Sequence, residues 1–167
     1  SSLPYFKEIW KYLRRFLTFR AKLKDVIDRI TYLKNYLKFL NLKEVNFYSE
    51  KITYPMKEKI DTDIDKVFSR LPIDTKVVLK SDIEGSEFEV IDEILKHQSK
   101  IKMIIFEFHW MNTNEQIFLE SVKKLKNNFN IIHIHGNNHC EKLQSGLPIA
   151  LEMTLLNKNI QKDEGKY

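Results

Sequence analysis

Residues 75–110 read TKVVLKSDIEGSEFEVIDEILKHQSKIKMIIFEFHW. The opening TKVVLK is a short, nearly all-apolar run, which predicts a buried strand over 75–80. Residues 86–97 (SEFEVIDEILKH) then take up the helical period, with Ser86 expected as N-cap and Glu89 as its capping-box partner. Residues 101–110 (IKMIIFEFHW) return to a strand of the buried kind. Strand, helix and strand with short links imply parallel pairing through a right-handed crossover, so this stretch predicts an α/β sheet.

The pattern continues downstream. Residues 113–129 predict a second helix with Ile117, Phe118, Val122 and Leu125 on its inner face. Residues 130–135 (NIIHIH) and 149–156 (IALEMTLL) predict two more strands, separated by the polar loop 136–146. Joined without a helix, they are expected as an antiparallel hairpin at one sheet edge. The expected fold class is α/β, a three-layer sheet with helices on its faces. Upstream, 45–54 alternates and predicts one or two short strands ended by Pro55. Residues 61–71 predict a short helix capped by Asp61, Thr62 or Asp63, with Ile64, Val67, Phe68 and Leu71 as its apolar face and Pro72 behind it.

Residues 1–42 differ in kind. No glycine occurs over 3–40, and the only proline there, Pro4, sits where a first helical turn tolerates one. Apolar residues recur three or four apart from Phe6 through Leu13, Leu23, Val26/Ile27, Ile30, Leu33, Leu37 and Leu40, which predicts a long amphipathic helix or helix pair, with a break between Arg20 and Lys24 where the stripe shifts register. Its partner is the rest of the domain, a second copy in a homodimer, a partner helix or a peripheral membrane surface. The expected organisation is a helical arm over 1–42, an α/β domain over 43–160 and a polar, frayed tail over 161–167.

Charge follows the same division. The net charge of +5 conceals ten Lys/Arg against three Asp/Glu in residues 1–40, leaving 18 against 20 for residues 41–167. The basicity belongs to the arm, which argues against nucleic acid as a partner of the whole protein. A single cysteine, Cys140, cannot form an internal disulfide, and no apolar run approaches the roughly 20 residues needed to span a bilayer. Lys7, Glu8, Lys11, Arg14 and Arg15 interrupt any signal-peptide core. A reducing, cytoplasmic setting is expected. The chain starts with Ser rather than Met, as a fragment does.

Ligands of open α/β sheets bind beyond the carboxyl ends of the strands. The first predicted strand runs into Asp82 and Glu84, with Gly85 allowing the turn into the helix. The second ends with Glu107 and His109, which alternation puts on the same side of the sheet. The third ends at His133 and His135, followed by Gly136, Asn137 and Asn138. Carboxylate plus imidazole can take a proton from a hydroxyl or bind a divalent ion. The same side chains can equally close loops by accepting backbone N–H bonds. No metal set is expected, since no HxxxH spacing or cysteine pair is present.

Residues 77–91 (VVLKSDIEGSEFEVI) resemble the LLK-x-D-(I/V)-E-G-(A/S)-E-x-x-(V/L) signature of FkbM-type methyltransferases. Downstream, 105–109 (IFEFH) is similar to that family's (V/I)-x-E-x-H strand, and 133–138 (HIHGNN) to its H-x-H-x-N-N segment, in the same order. The resemblance spans roughly 45–157, the C-terminal half of the domain. It implies a class I methyltransferase (Rossmann-like) sheet whose fourth to seventh strands lie here. It also implies methyl transfer from S-adenosylmethionine to a small-molecule or glycan hydroxyl. By that resemblance Asp82, Glu107 and His109 are catalytic, Asp82, Glu84 and Gly85 touch the cofactor, and His135, Asn137 and Asn138 bind the acceptor. Two departures stand out: Ser81 replaces the usual hydrophobic residue before Asp82, and no glycine precedes residue 85. Without a Gly-rich turn to present backbone amides to the cofactor, a monomer is expected to bind it poorly, with inactivity in isolation left open. The alternative is a non-catalytic remnant that acts as an interaction module through its basic arm.

Overall fold

The computed structural model describes Lys11, Arg14 and residues 22–137, 141–143, 146 and 148–159. The chain divides into two compact units, Ser1–Ser49 and Glu50–Tyr167.

In the first unit, helix α1 spans Leu23–Leu40. Lys11 and Arg14 are helical as well; the other residues of the helix expected over 3–21, like the tail 161–167, lie outside the described residues. The expected break falls at Lys22, whose extended backbone precedes α1 and whose N–H donates to the Asp25 carboxylate at 2.9 Å. At the other end the Leu37 carbonyl accepts twice from Asn41, from its backbone N–H at 3.2 Å and from its side-chain amide at 2.9 Å, which closes the last turn. The apolar stripe splits in two. Val26 and Leu33, two turns apart, are buried, whereas Leu23, Ile27, Ile30 and Leu37 on the neighbouring line stay about half exposed. Among the described residues no helix is long and apolar enough to cross a membrane.

The second unit begins with β1 (Lys51–Ile52) and β2 (Asp61–Thr62), a short parallel pair. Asp61 and Thr62 therefore belong to a strand instead of capping the following helix. The Asp61 carboxylate accepts the backbone N–H groups of Lys57 and Glu58 at 2.7 and 2.8 Å, holding the connection between the two strands. Helix α2 spans Ile64–Ser69 with Asp63 as its N-cap, Oδ1 accepting the Lys66 N–H at 2.7 Å. Its Ile64 and Phe68 enter the core, and Phe68 stacks on His97.

The main sheet comprises β3 (Val77–Ser81), β4 (Ile101–Phe108), β5 (Phe129–Gly136) and β6 (Leu151–Asn157) in the order β3-β4-β6-β5. Helices α3 (Glu87–Lys96) and α4 (Met111–Lys126) make the crossovers. As expected, β3 and β4 are parallel, and β5 and β6 are an antiparallel pair with β5 at the edge. The last strand, β6, is inserted antiparallel between β4 and β5.

The expectation of three layers is corrected. Both crossover helices pack on one face of the sheet: Phe88 of α3 and Phe118 of α4 each meet the ring of Phe108, at 5.5 and 5.2 Å. That face carries the fully buried Ile104, Phe106, Phe108 and Leu155. Alternation sends Met103, Ile105 and Glu107, with their partners on β6, to the opposite face, which is only half covered; Val78 there is 61% exposed. A right-handed crossover places each helix by the direction in which the next strand is added, and here both crossovers proceed in the same direction. In α4, Phe118 and Leu125 are buried and Val122 half-buried, but Ile117 faces outward. Asn157, at the end of β6, donates to the carbonyls of Gln98 and Ile101 at 2.9 and 2.8 Å and locks the start of β4.

Candidate functional site

Strand β3 ends at Ser81, and the loop 82–86 turns back into α3. Glu84 and Gly85 both have positive φ, 52° and 104°. At Gly85 glycine is required twice over, because a Cβ would also lie 2.9 Å from Cδ1 of Trp110. The expected capping box is absent: Ser86 makes no side-chain cap bond, and Glu89 instead accepts the Thr53 hydroxyl at 3.2 Å. Glu87 closes the loop. Its carboxylate accepts the N–H of Ile83 at 3.1 Å and of Gly85 at 2.9 Å, and it is fully buried.

The same carboxylate reaches β4. Glu87 Oε1 lies 2.9 Å from His109 Nδ1, so the imidazole is oriented with Nε2 toward the rim. Around Nε2 stand Asp82 Oδ1, Glu84 Oε2 and Glu107 Oε1, each at 3.8 Å. The His109 and Glu107 side chains are only 12% and 13% exposed, Asp82 is partly exposed and Glu84 lies largely in solvent. Burial by itself would lower the pKa of His109. The hydrogen bond and charge of Glu87, with the charges of Glu84 and Glu107, outweigh it and hold the pKa above the ordinary 6.5.

Beside this cluster lies a cavity of about 310 Å³, lined by Glu84, Glu107, His109, Trp110, Asn137, Ile149 and Ala150. Asn137 Nδ2 donates to Glu107 Oε1 at 3.1 Å, tying the end of β5 to the end of β4. Trp110 is half exposed and, like Glu84, has positive φ, 57°. Strained backbone of this kind persists where surrounding structure over-determines it, and two such residues on one rim mark the site.

The residues read from the sequence are thus brought together in large part. Asp82, Glu84, Glu107, His109 and Asn137 converge, with Gly85 supporting the turn. His135 does not join them: it lies two strands from Glu107 in the cross-sheet row Glu107–Glu152–His135, is exposed, and stays outside the cavity lining. Asn138 is outside the described residues. Two residues that shape the rim, Glu87 and Trp110, lie outside the set expected from the sequence. Glu87 was visible only as the second Glu of EGSE, and an acid in a first helical turn has an ordinary reading as a partner of the helix dipole. Trp110 read as the last residue of a strand, whereas β4 stops two residues before it.

No protein-family model, curated protein or solved structure matches this chain.

Proposed function

We propose that this rim is the acceptor side of an O-methyltransferase site of FkbM type, in which a hydroxyl of a sugar or similar small molecule sits in the cavity and loses its proton to the His109–Glu107 pair. The observation that carries this reading is the meeting of three carboxylates around His109 Nε2, at the carboxyl ends of two parallel strands. Two of the three ordered sequence segments that resemble the family, 77–91 and 105–109, supply all three carboxylates and the imidazole. The strand order supports it too: an antiparallel last strand set between its two predecessors is how the second half of the class I methyltransferase sheet, implied by that resemblance, is ordered.

An alkanol ionises far above neutral pH, so its proton needs a base within about 3 Å. Glu87 fixes the imidazole ring, Asn137 fixes Glu107, and both bases line the cavity. Trp110 offers an exposed aromatic face beside them, suited to the apolar side of a sugar ring. S-adenosylmethionine is the implied donor, and when bound it supplies an electrophilic methyl group. These residues fit only its reacting end, through Asp82 and Glu84. No glycine precedes Gly85, so the sequence has no Gly-rich turn to cradle the methionine and ribose, and turnover by this chain alone is slow. A reducing, cytoplasmic setting suits such an enzyme and its lone cysteine.

The test is mass spectrometry of a sugar panel incubated with the protein and millimolar S-adenosylmethionine. The expected result is an acceptor one methyl group heavier, with turnover falling at least about 100-fold in His109→Ala and in Glu107→Gln. A folded protein that methylates no hydroxyl compound would overturn the proposal.

The exposed apolar line of α1, flanked by Lys24, Lys34 and Lys38, favours a second reading, an interaction module that docks through this helix to a partner helix, a second copy or an acidic membrane surface. Concentration-dependent sedimentation and vesicle flotation test it; a protein that stays monomeric and unbound contradicts it.

A further inference from the structure

We infer that Asp82, Glu84 and His109 form a binding site for one divalent first-row cation of the Mn²⁺ class. One oxygen from each carboxylate and Nε2 of the imidazole all lie within 4.8 Å of one another, close enough to converge on a single ion. The set mixes two hard oxygens with one nitrogen, which suits Mn²⁺ and its neighbours better than Ca²⁺ or Mg²⁺.

Three further observations distinguish it from an ordinary acidic surface. The imidazole is anchored from behind: Nδ1 is bound to a fully buried carboxylate, Glu87, which is the outer-shell arrangement that orients histidine ligands of metals. Among the described residues the other ring nitrogen has no hydrogen-bond partner at bonding distance; the carboxylate oxygens of Asp82, Glu84 and Glu107 stand 3.8 Å from it, a gap that an ion between them would bridge. Charge is also out of balance. Asp82, Glu84, Glu87 and Glu107 surround one imidazole, and Lys80, 3.9 Å from Asp82, is the one lysine or arginine among the described residues that pairs with this group.

Three protein ligands leave coordination positions open toward water and toward the 310 Å³ cavity, which Glu84 and His109 also line. An acceptor hydroxyl bound there becomes more acidic, as metal-bound water does. Nε2 is then a ligand, and Glu107, held by Asn137 and facing the same cavity, keeps the role of base. This role for the ion rests on the methyl-transfer reading; the binding itself does not.

The experiment is electron paramagnetic resonance of Mn²⁺ titrated with the full chain, with no methyl donor or sugar present, since protein-bound Mn²⁺ loses the sharp signal of the free aquo ion. The expected result is one Mn²⁺ per chain. Binding is abolished in the double variant Asp82→Asn, Glu84→Gln, both solvent-facing changes whose folding circular dichroism confirms. It weakens about 10- to 100-fold in Glu87→Gln, which acts only through His109. Asp92→Asn, which removes an exposed carboxylate paired with Lys124, leaves it unchanged. Absence of binding to the wild type, equal binding by the double variant, or equal loss in Asp92→Asn would each overturn the site. Because the signal is read without turnover, a failed methyltransferase assay leaves this result standing, and the reverse also holds.

Discussion

Nδ1 of His109, beyond the end of β4, lies 2.9 Å from Oε1 of Glu87, at the start of α3, and Glu87 has no exposed surface. One carboxylate thereby serves the loop after β3 through two backbone N–H groups and the imidazole after β4 through one ring nitrogen. The geometry of the whole rim depends on this junction.

Removing that carboxylate leaves two half-buried backbone donors and a ring nitrogen without their acceptor. Glu87→Ala is expected to cost about 2–4 kcal/mol, and Glu87→Gln, which keeps one acceptor oxygen, less than half of that. Urea unfolding followed by circular dichroism measures both; equal stability of Glu87→Ala and wild type contradicts the assignment.

The histidine carries a pH dependence with a definite sign. Its folded pKa lies above 6.5 because Glu87, Glu84 and Glu107 favour the imidazolium more than burial opposes it. The stabilisation it contributes is therefore full below about pH 6.5 and is lost as pH rises through the higher folded value. The Hε1 resonance of His109 in chelator-treated protein should titrate above the ordinary imidazole range and move down in Glu87→Gln. A midpoint at or below 6.5 in the wild type refutes this.

Gly85→Ala meets two penalties at once, positive φ and a Cβ 2.9 Å from the Trp110 ring. The expected destabilisation is about 1–2 kcal/mol. In a Trp10→Phe background, emission from Trp110 should also shift to the red as the indole is pushed into water. Adding Trp110→Ala restores only the part due to the clash, so a double-mutant cycle separates the two.

Asn157 provides a test of how the sheet is pinned. Asn157→Ala strips donors from two carbonyls and should cost about 1–3 kcal/mol. Asn157→Asp, which places a carboxylate against those same carbonyls, should cost more despite its closer shape. Thermal unfolding that ranks the two variants the other way rules out the amide's role as donor.

Much of this architecture could be read locally. Strand β3, helix α3 and strand β4 follow from apolar runs and one amphipathic period, and Asp82, Glu84, Glu107 and His109 follow from strand ends together with alternation. The capping box over Ser86 and Glu89 failed because a capping motif describes a helix in isolation, whereas Glu89 found a better-placed partner in Thr53, 36 residues away. Periodicity puts Ile117 inward, yet it is exposed, because periodicity marks which residues share a face and not how much of that face a neighbour covers. Strand ends and the H-x-H-x-N-N resemblance both point His135 toward the site, but β6 lies between β5 and β4 and moves His135 one strand further off.

The sequence by itself determined the α/β class, the parallel β3–β4 pair and the carboxylates and imidazole at its rim, because these depend on short-range period and on the reach of a single turn. Only the tertiary structure decided that both crossover helices share one face, that β6 enters between β4 and β5, and that Glu87 is a buried junction. Those facts depend on which distant segments come into contact. A carboxylate at the first turn of a helix has the same local signature whether it faces water or the interior, and at Glu87 the difference is made by the preceding loop and by His109, 22 residues away.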